Sequence, residues 1–352
     1  MKKLALLTLF SLSLFAWESR GNISLEKTKF YSPSQTASAI RGDLELKNKG
    51  LTISLKAIHD REDKKRRYID LQELNYTFSY GDYDFSVGKS IKFWGSLELH
   101  NPTDIFNQKD ILDDITDKDK KLGSWNISAS KYIDDDELSL IVKLKESYQD
   151  YSRVGYTKYF KSEKSKYRPT IFLKYSGSEG DRDFAYILMS GYDSFRDTIF
   201  DKGELKSYLY LANKFLTYQT LVQGDTIYKA EFAYTDVKNY GAIKDYYEYG
   251  VGVEKTFYSV WNKKDLGVMA EYYKSDINKK IIYQNDLFIG ARLSFNDIAS
   301  SEIVGGVIRD FDSDKNSYSL EVKKRVFDKY MLNIRYIKDE TKVLRVNVGY
   351  YF

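Results

Sequence analysis

The chain contains no cysteine, so it can form no disulfide framework, no thiolate metal site and no lipid anchor carried on a cysteine. Long apolar runs are missing as well. The one run present, Leu4 to Phe15, falls short of the roughly 20 residues that a membrane-spanning helix needs. An excess of one charge is also absent: 55 basic residues stand against 51 acidic ones, a formal net of +4. That balance gives no electrostatic ground for a nucleic-acid partner. Histidine is scarce at two residues, and only three prolines occur in 352 positions.

The short apolar run reads as an export signal. Lys2 and Lys3 precede it, small hydroxyl residues alone break it, and Ala16 closes it before the polar stretch Trp17-Glu18-Ser19-Arg20. That is the layout of a cleaved signal peptide over residues 1 to 16, with Leu14 departing from the small residue usual at that place. Residues 17 to 352 then form one exported domain. Aromatic residues reach 16%, with 32 Tyr and 20 Phe, beside a charged content of 30%. So many rings in so polar a chain need surroundings that are half wet and half apolar, as the aromatic girdles of a membrane β-barrel are.

Strand patterning agrees. At the C-terminus Leu344, Val346, Val348, Tyr350 and Phe352 share one face, while Arg345, Asn347 and Gly349 share the other. The same alternation recurs in Tyr330-Leu332-Ile334-Tyr336, in Leu287-Ile289-Ala291-Leu293 and in Tyr228-Ala230-Phe232-Tyr234. It continues in Leu74-Tyr76-Phe78-Tyr80 and in Leu51-Ile53-Leu55-Ala57. Apolar positions toward lipid and polar ones toward the interior are expected of barrel strands. Short links near Phe327-Asp328, Asn296 to Ala299, Asn262 to Lys264 and Gly224-Asp225 alternate with polar loops near Lys338 to Lys342, Asp310 to Asn316, Lys274 to Lys280 and Asp236 to Asp245. The spacing predicts an all-β, transmembrane antiparallel barrel of about 16 strands, within roughly 14 to 18. Residues 22 to 50 and 204 to 222 each fit one long strand or two short ones.

Two segments do not read as wall. Residues 93 to 121 carry Trp94, Asn101, Asp104 and Asn107, then an acid-rich run beginning at Asp110. A connection this long favours a functional loop, placed outside or folded into the barrel mouth. The polar loop at 146 to 168 interleaves lysines with tyrosines, among them Lys158, Tyr159, Lys166 and Tyr167.

Three places resemble an uncharacterised, porin-like family of bacterial outer-membrane β-barrel proteins. They are Gly88-Lys89-Ser90-Ile91-Lys92-Phe93-Trp94-Gly95 with the following Asn101 to Asp110, the stretch Gln284 to Gly290 continuing to Glu302, and the ending Tyr350-Tyr351-Phe352. The terminal Phe352 with Tyr350 also resembles the signal by which such proteins are recognised for assembly. The resemblance implies a bacterial outer-membrane location, reached after export and signal-peptide cleavage. It brings no substrate and no catalytic residues.

A barrel of this size has room for an aqueous channel. The alternation points Lys56, Glu73, Glu231, Glu254, Glu271, Arg292, Glu321, Arg325, Arg335 and Arg345 inward, a mixed-charge lining suited to small hydrophilic solutes with weak charge preference. Trp94, Asn101, Asp104, Asn107 and Asp110 are candidates for a constriction. The acid-rich run lacks calcium-loop spacing, and nothing identifies a cofactor or metal. The alternative is a surface adhesin or structural barrel with a blocked lumen. A hydrolase is a weaker alternative, because the two histidines, His59 and His100, stand in no triad spacing with Ser54 or Ser96. Expected partners are outer-membrane lipid and lipopolysaccharide, the outer-membrane assembly machinery and small solutes.

Overall fold

The computed structural model describes residues 17–31, 34–114, 120–147, 160–162, 168–201, 204–279, 281–298, 300–339 and 342–352. Eighteen antiparallel strands form one sheet, in which the first strand, Glu18–Tyr31, pairs with both its successor, Ser34–Asn48, and the last strand, Lys342–Tyr351. The sheet is therefore a closed barrel. At the seam the Phe352 amide donates to the Gly21 carbonyl at 3.0 Å, and the Gly21 amide donates back to Phe352 at 2.9 Å. Closure leaves no edge of unpaired backbone groups, the condition for a sheet to stand in lipid.

The count of eighteen lies above the central expectation of sixteen and at the top of the expected range of 14 to 18. Residues 22 to 50 hold two wall strands, Glu18–Tyr31 and Ser34–Asn48. In residues 204 to 222 the wall strand is Leu211–Gln223, whereas Glu204–Tyr208 joins a separate three-stranded sheet with Asp197–Asp201 and Phe160–Ser162. Alternation alone cannot tell whether a neighbouring strand continues the wall or leaves it. The signal segment at 1 to 16 and most of the loop at 146 to 168 lie outside the described residues.

The two ends of the barrel differ. One end carries the tight turns, including the repeated pair Gly81-Asp82, Gly180-Asp181 and Gly224-Asp225, in which each glycine has positive φ near 60° (59°, 59° and 62°). A glycine of positive φ in the first central position suits one of the two kinds of two-residue turn that match the strand twist. The expected short links at 224 to 225, 262 to 264, 296 to 299 and 327 to 328 all fall at this end, together with both chain ends of the barrel. The expected polar loops fall at the other.

The inner face departs from simple alternation on one side. In the strands Asp136–Lys143, Thr170–Glu179, Arg182–Tyr192 and Leu211–Gln223, the outward residues Leu140, Leu173, Leu188 and Phe215 are exposed as expected. Their inward neighbours Ile141, Phe172, Ile187 and Leu216 are also apolar, and they are buried. This half of the interior is a packed apolar core. The reason is the segment that fills it.

Candidate functional site

The connection between the strands Tyr83–Ser90 and Ser124–Ile133 folds into the barrel and crosses it. On one side Glu231, from the strand Thr226–Lys238, accepts the Ser96 amide at 2.6 Å, the Leu97 amide at 3.1 Å, the Thr103 amide at 3.2 Å and the Thr103 hydroxyl at 2.7 Å. Glu271 accepts the Glu98 and Leu99 amides at 2.7 and 3.1 Å, and the Tyr273 hydroxyl accepts the His100 amide at 3.2 Å. At its far end the loop forms a single turn, Ile111–Asp114. There Asp113 takes the Arg41 guanidinium at 2.9 Å and the Lys56 ammonium at 2.8 Å, and Asp110 takes Lys56 at 3.0 Å and the Tyr68 hydroxyl at 3.2 Å. Arg41 and Lys56 stand on strands halfway round the ring from Glu231. Only a segment spanning the interior can be tied to both walls.

Apolar contacts set its depth. Trp94, Ile105 and Phe106 pack with Ile141, Phe172, Ile187 and Leu216, with the Trp94 ring edge-on to Phe172 at 5.2 Å between centroids. Leu97 seats in a notch of the wall beside Gly250, on the strand next to that of Glu231, where an added Cβ would overlap its Cδ1. Gly95, at φ +147°, brings the backbone so close to Glu231 that a Cβ there would lie 2.8 Å from the carboxylate. The Trp-Gly pair thus joins a buried ring to a backbone approach that only glycine permits.

Burial and charge act together in the loop. Burial opposes ionisation of Asp113, but Arg41 and Lys56 more than offset it and hold the carboxyl well below its usual range. Burial pushes Asp104 up despite its contact with Lys121 at 2.8 Å. His100 is pushed down to about 3 by burial, its ring lying 5.1 Å from Tyr283 and 5.8 Å from Tyr273.

Opposite the loop a space remains. A cavity of about 510 Å³ lies between Glu98, Leu99 and Lys120 of the loop and the wall residues Glu26, Glu321, Arg335 and Arg345. Toward the tight-turn end it adjoins a second space of about 630 Å³ lined by Arg20, Arg325, Asp328 and Lys329, since Asn22, Asp43 and Tyr351 line both. Its charges are neutralised in place: Arg335 reaches Glu321 at 2.8 Å, Arg345 lies 3.8 Å from Glu26, and Lys323 reaches Glu302 at 3.0 Å.

The inward-pointing candidates divide accordingly. Glu321, Arg335 and Arg345 line the first of these spaces, against the loop, and Arg325 the second, toward the tight-turn end. Lys56, Glu231 and Glu271 are buried under the loop they hold. Glu73 accepts the Ile91 amide at 2.9 Å where the loop begins. Glu254 binds Lys229 at 2.8 Å, and Arg292 binds Glu98 of the loop at 2.9 Å. Trp94, Asn101, Asp104, Asn107 and Asp110 are not on the cavity lining. They hold the loop together: Asn101 donates to the Leu97 carbonyl at 2.7 Å, and Asn107 donates to the carbonyls of Ser90 and Leu122 at 3.1 and 2.9 Å. The loop residues that do face the space, Glu98, Leu99 and Lys120, carry no motif by which sequence reasoning could have selected them. His59 lies exposed on the outer face of the wall, away from His100 inside. Tyr350 packs on Tyr330 at 5.4 Å beside the seam that Phe352 closes.

No family model and no curated protein matches the sequence. Solved structures do match the fold. OccK3 (OpdO) of Pseudomonas aeruginosa aligns over 96% of this chain and 96% of its own, with a TM-score of 0.58 at 10% identity. OccK8 (OprE) of the same organism aligns over 96% and 98% with a TM-score of 0.55 at 6% identity. The fold is that of a porin-like outer-membrane barrel. OccK10 (OpdN), at a TM-score of 0.54 and 9% identity over 96% of this chain and 99% of its own, extends the same likeness. In the porin-like barrel described here the wall, the closure and an interior loop are all present in one chain.

Proposed function

We propose that this porin-like barrel is an outer-membrane channel through which small hydrophilic solutes diffuse down their gradients. The observation that carries the reading is the polar space left between Glu98, Leu99 and Lys120 of the loop and the Glu321, Arg335 and Arg345 side of the wall. A mixed lining of paired charges stabilises a water-filled path without a deep well for either sign, which favours weak charge preference. The loop, braced at Glu231 and at Arg41, acts as the constriction. Passage requires no bond-making, so the protein works as a conduit and not as an enzyme.

In this reading the tight turns and the Phe352 seam face the periplasm and the long loops face outward. Tyr350 and Phe352 present the assembly machinery with its recognition end, and residues 1 to 16 are removed on export. The test is single-channel recording of the refolded protein in a planar bilayer, with selectivity taken from the reversal potential in a salt gradient. Steady steps with a small reversal potential are expected. A folded barrel without conductance would transfer the function to its surface, as a scaffold or adhesin whose interior is blocked by the loop.

A further inference from the structure

Three inward positions of the strand Tyr330–Lys338 line the cavity in succession, Ile337, Arg335 and Asn333, and each has a different chemistry. Two residues of strand separate one from the next, about 7 Å. The neighbouring strand Lys342–Tyr351 repeats the last two: Arg345 stands directly opposite Arg335, and Asn347 directly opposite Asn333. The wall therefore carries a pair of guanidinium groups and, nearer the tight-turn end, a pair of amides.

The two pairs offer the lumen opposite polarity. Arg335 donates to Glu321 at 2.8 Å and Arg345 donates through Nε to the Thr28 hydroxyl at 3.2 Å, and their side chains remain 19% and 20% exposed. A guanidinium carries its N–H donors in one plane, and two of them side by side suit the two oxygens of a carboxylate. In the amide pair the nitrogens are turned to the wall: Asn333 Nδ2 donates to Glu321 at 2.7 Å and Asn347 Nδ2 to the Ser24 hydroxyl at 3.1 Å. Their oxygens are acceptors, and Asn347 Oδ1 is directed on toward Gly349, 3.8 Å from where a Cβ would stand there. Lys323, opposite Asn333, is drawn aside to Glu302 at 3.0 Å and Glu321 at 3.5 Å. Donors and, one row away, acceptors match the carboxylate and the ammonium of a single molecule.

On the other side of the guanidinium pair the lining is apolar. Ile337 lies in one row with Ser319 and Gly306, and the Phe288 ring takes the places that side chains at Gly306 and Gly290 would fill. Leu99 of the loop packs against the same cluster as Phe288, and both line the cavity. The lining as a whole nearly balances cations against anions among the described residues, so a solute of either net charge finds no large excess of the opposite sign. A molecule with both charges meets both rows at once.

We infer that the channel selects a small zwitterion with an apolar side chain, an α-amino acid or a dipeptide. Its carboxylate meets Arg335 and Arg345, its ammonium the amide oxygens of Asn333 and Asn347, and its side chain Ile337, Phe288 and Leu99. The inference rests on the channel reading above.

Block of KCl current through the whole barrel in a planar bilayer tests it. The probes are leucine, leucylglycine, isocaproate as leucine without its amino group, isoamylamine as leucine without its carboxyl group, and arabinose. Current before any probe is added reports on the channel reading alone, and its absence from a folded barrel would overturn that reading and the inference with it. In a conducting channel, leucine or leucylglycine is expected to block at a concentration at least about tenfold below that of isocaproate, isoamylamine or arabinose. Block by leucine alone would assign the free amino acid, and block by leucylglycine alone the dipeptide. Asn333→Leu with Asn347→Leu should bring leucine level with isocaproate, and Arg345→Gln should remove most of its advantage over isoamylamine. In the wild type, where no variant has to fold, equal block by isocaproate would overturn the amide site and equal block by isoamylamine the guanidinium site. Equal block by arabinose would overturn recognition of charge altogether.

Discussion

The Thr103 hydroxyl donates to Glu231 Oε2 at 2.7 Å, joining the middle of the interior loop to a wall strand far along the chain. Glu231 is buried, and its two oxygens are saturated by loop donors. A carboxylate placed on the inner wall and met by several donors is a fixed anchor, because releasing any donor leaves a buried polar group unsatisfied.

Glu231→Ala should therefore loosen the loop. We expect a loss of about 3 kcal/mol in unfolding free energy, the scale for several buried donors left without partners. Single-channel traces should show larger and noisier steps; unchanged traces would separate the anchor from the constriction.

Leu97 of the loop and Gly250 of the wall form a complementary pair. Gly250→Val should destabilise the barrel by about 1–3 kcal/mol through overpacking. Adding Leu97→Ala to that variant should restore part of the loss, as read from urea unfolding. Additive losses would show that the two do not share one space.

The Arg41 and Asp113 contact closes the other end of the loop. Removing either partner alone strands a buried charge, at a cost of about 3–5 kcal/mol. Arg41→Met with Asp113→Leu should cost less than the sum of the single changes. Since the Asp113 carboxyl is depressed, its stabilisation is fully present above the unfolded value of about 3.9 and is lost only as pH falls through the lower folded value. Conductance should thus keep its loop-dependent level down to about pH 4.

His100 acts in the same direction over a higher interval of pH. Its folded value of about 3 lies below the ordinary 6.5, so the unfolded chain takes up the proton first and stability falls as pH drops through that interval. Thermal unfolding of the wild type should weaken between pH 6.5 and about pH 3, and His100→Phe should flatten that part of the profile. Identical slopes would place the titration elsewhere.

Selectivity should follow the cavity lining. Arg335→Gln removes one cation and frees Glu321 from its 2.8 Å contact. The reversal potential is expected to move toward cation preference, and Glu321→Gln to move it the other way. A shift of the same sign in both would mean that ions pass by another route.

Much of the wall was legible because the chemistry of a strand repeats every second residue. Tyr330, Leu332, Ile334 and Tyr336 share one face whatever the rest of the chain does, and Gly224-Asp225 makes a tight turn by local backbone preference alone. The strand count stayed a range, 14 to 18, where those local rules are silent. Glu204–Tyr208 is as strand-like as its neighbours, but whether it joins the wall depends on what it pairs with.

Sequence by itself determined the class of the fold, the single closed sheet, the end that carries the tight turns and the segment set apart from the wall, because each is written in nearest-neighbour periodicity and composition. Tertiary structure alone decided what that segment does. Trp94, Asn101, Asp104, Asn107 and Asp110 are candidates for a constriction from the sequence; in the structure they hold the loop together, while Glu98, Leu99 and Lys120 face the open space. It also decided which inward charges line the open space and which are consumed in holding the loop, as Glu231, Glu271 and Lys56 are. The physical reason is closure: only when Lys342–Tyr351 pairs with Glu18–Tyr31 do walls half a ring apart stand close enough for one loop to bond to both.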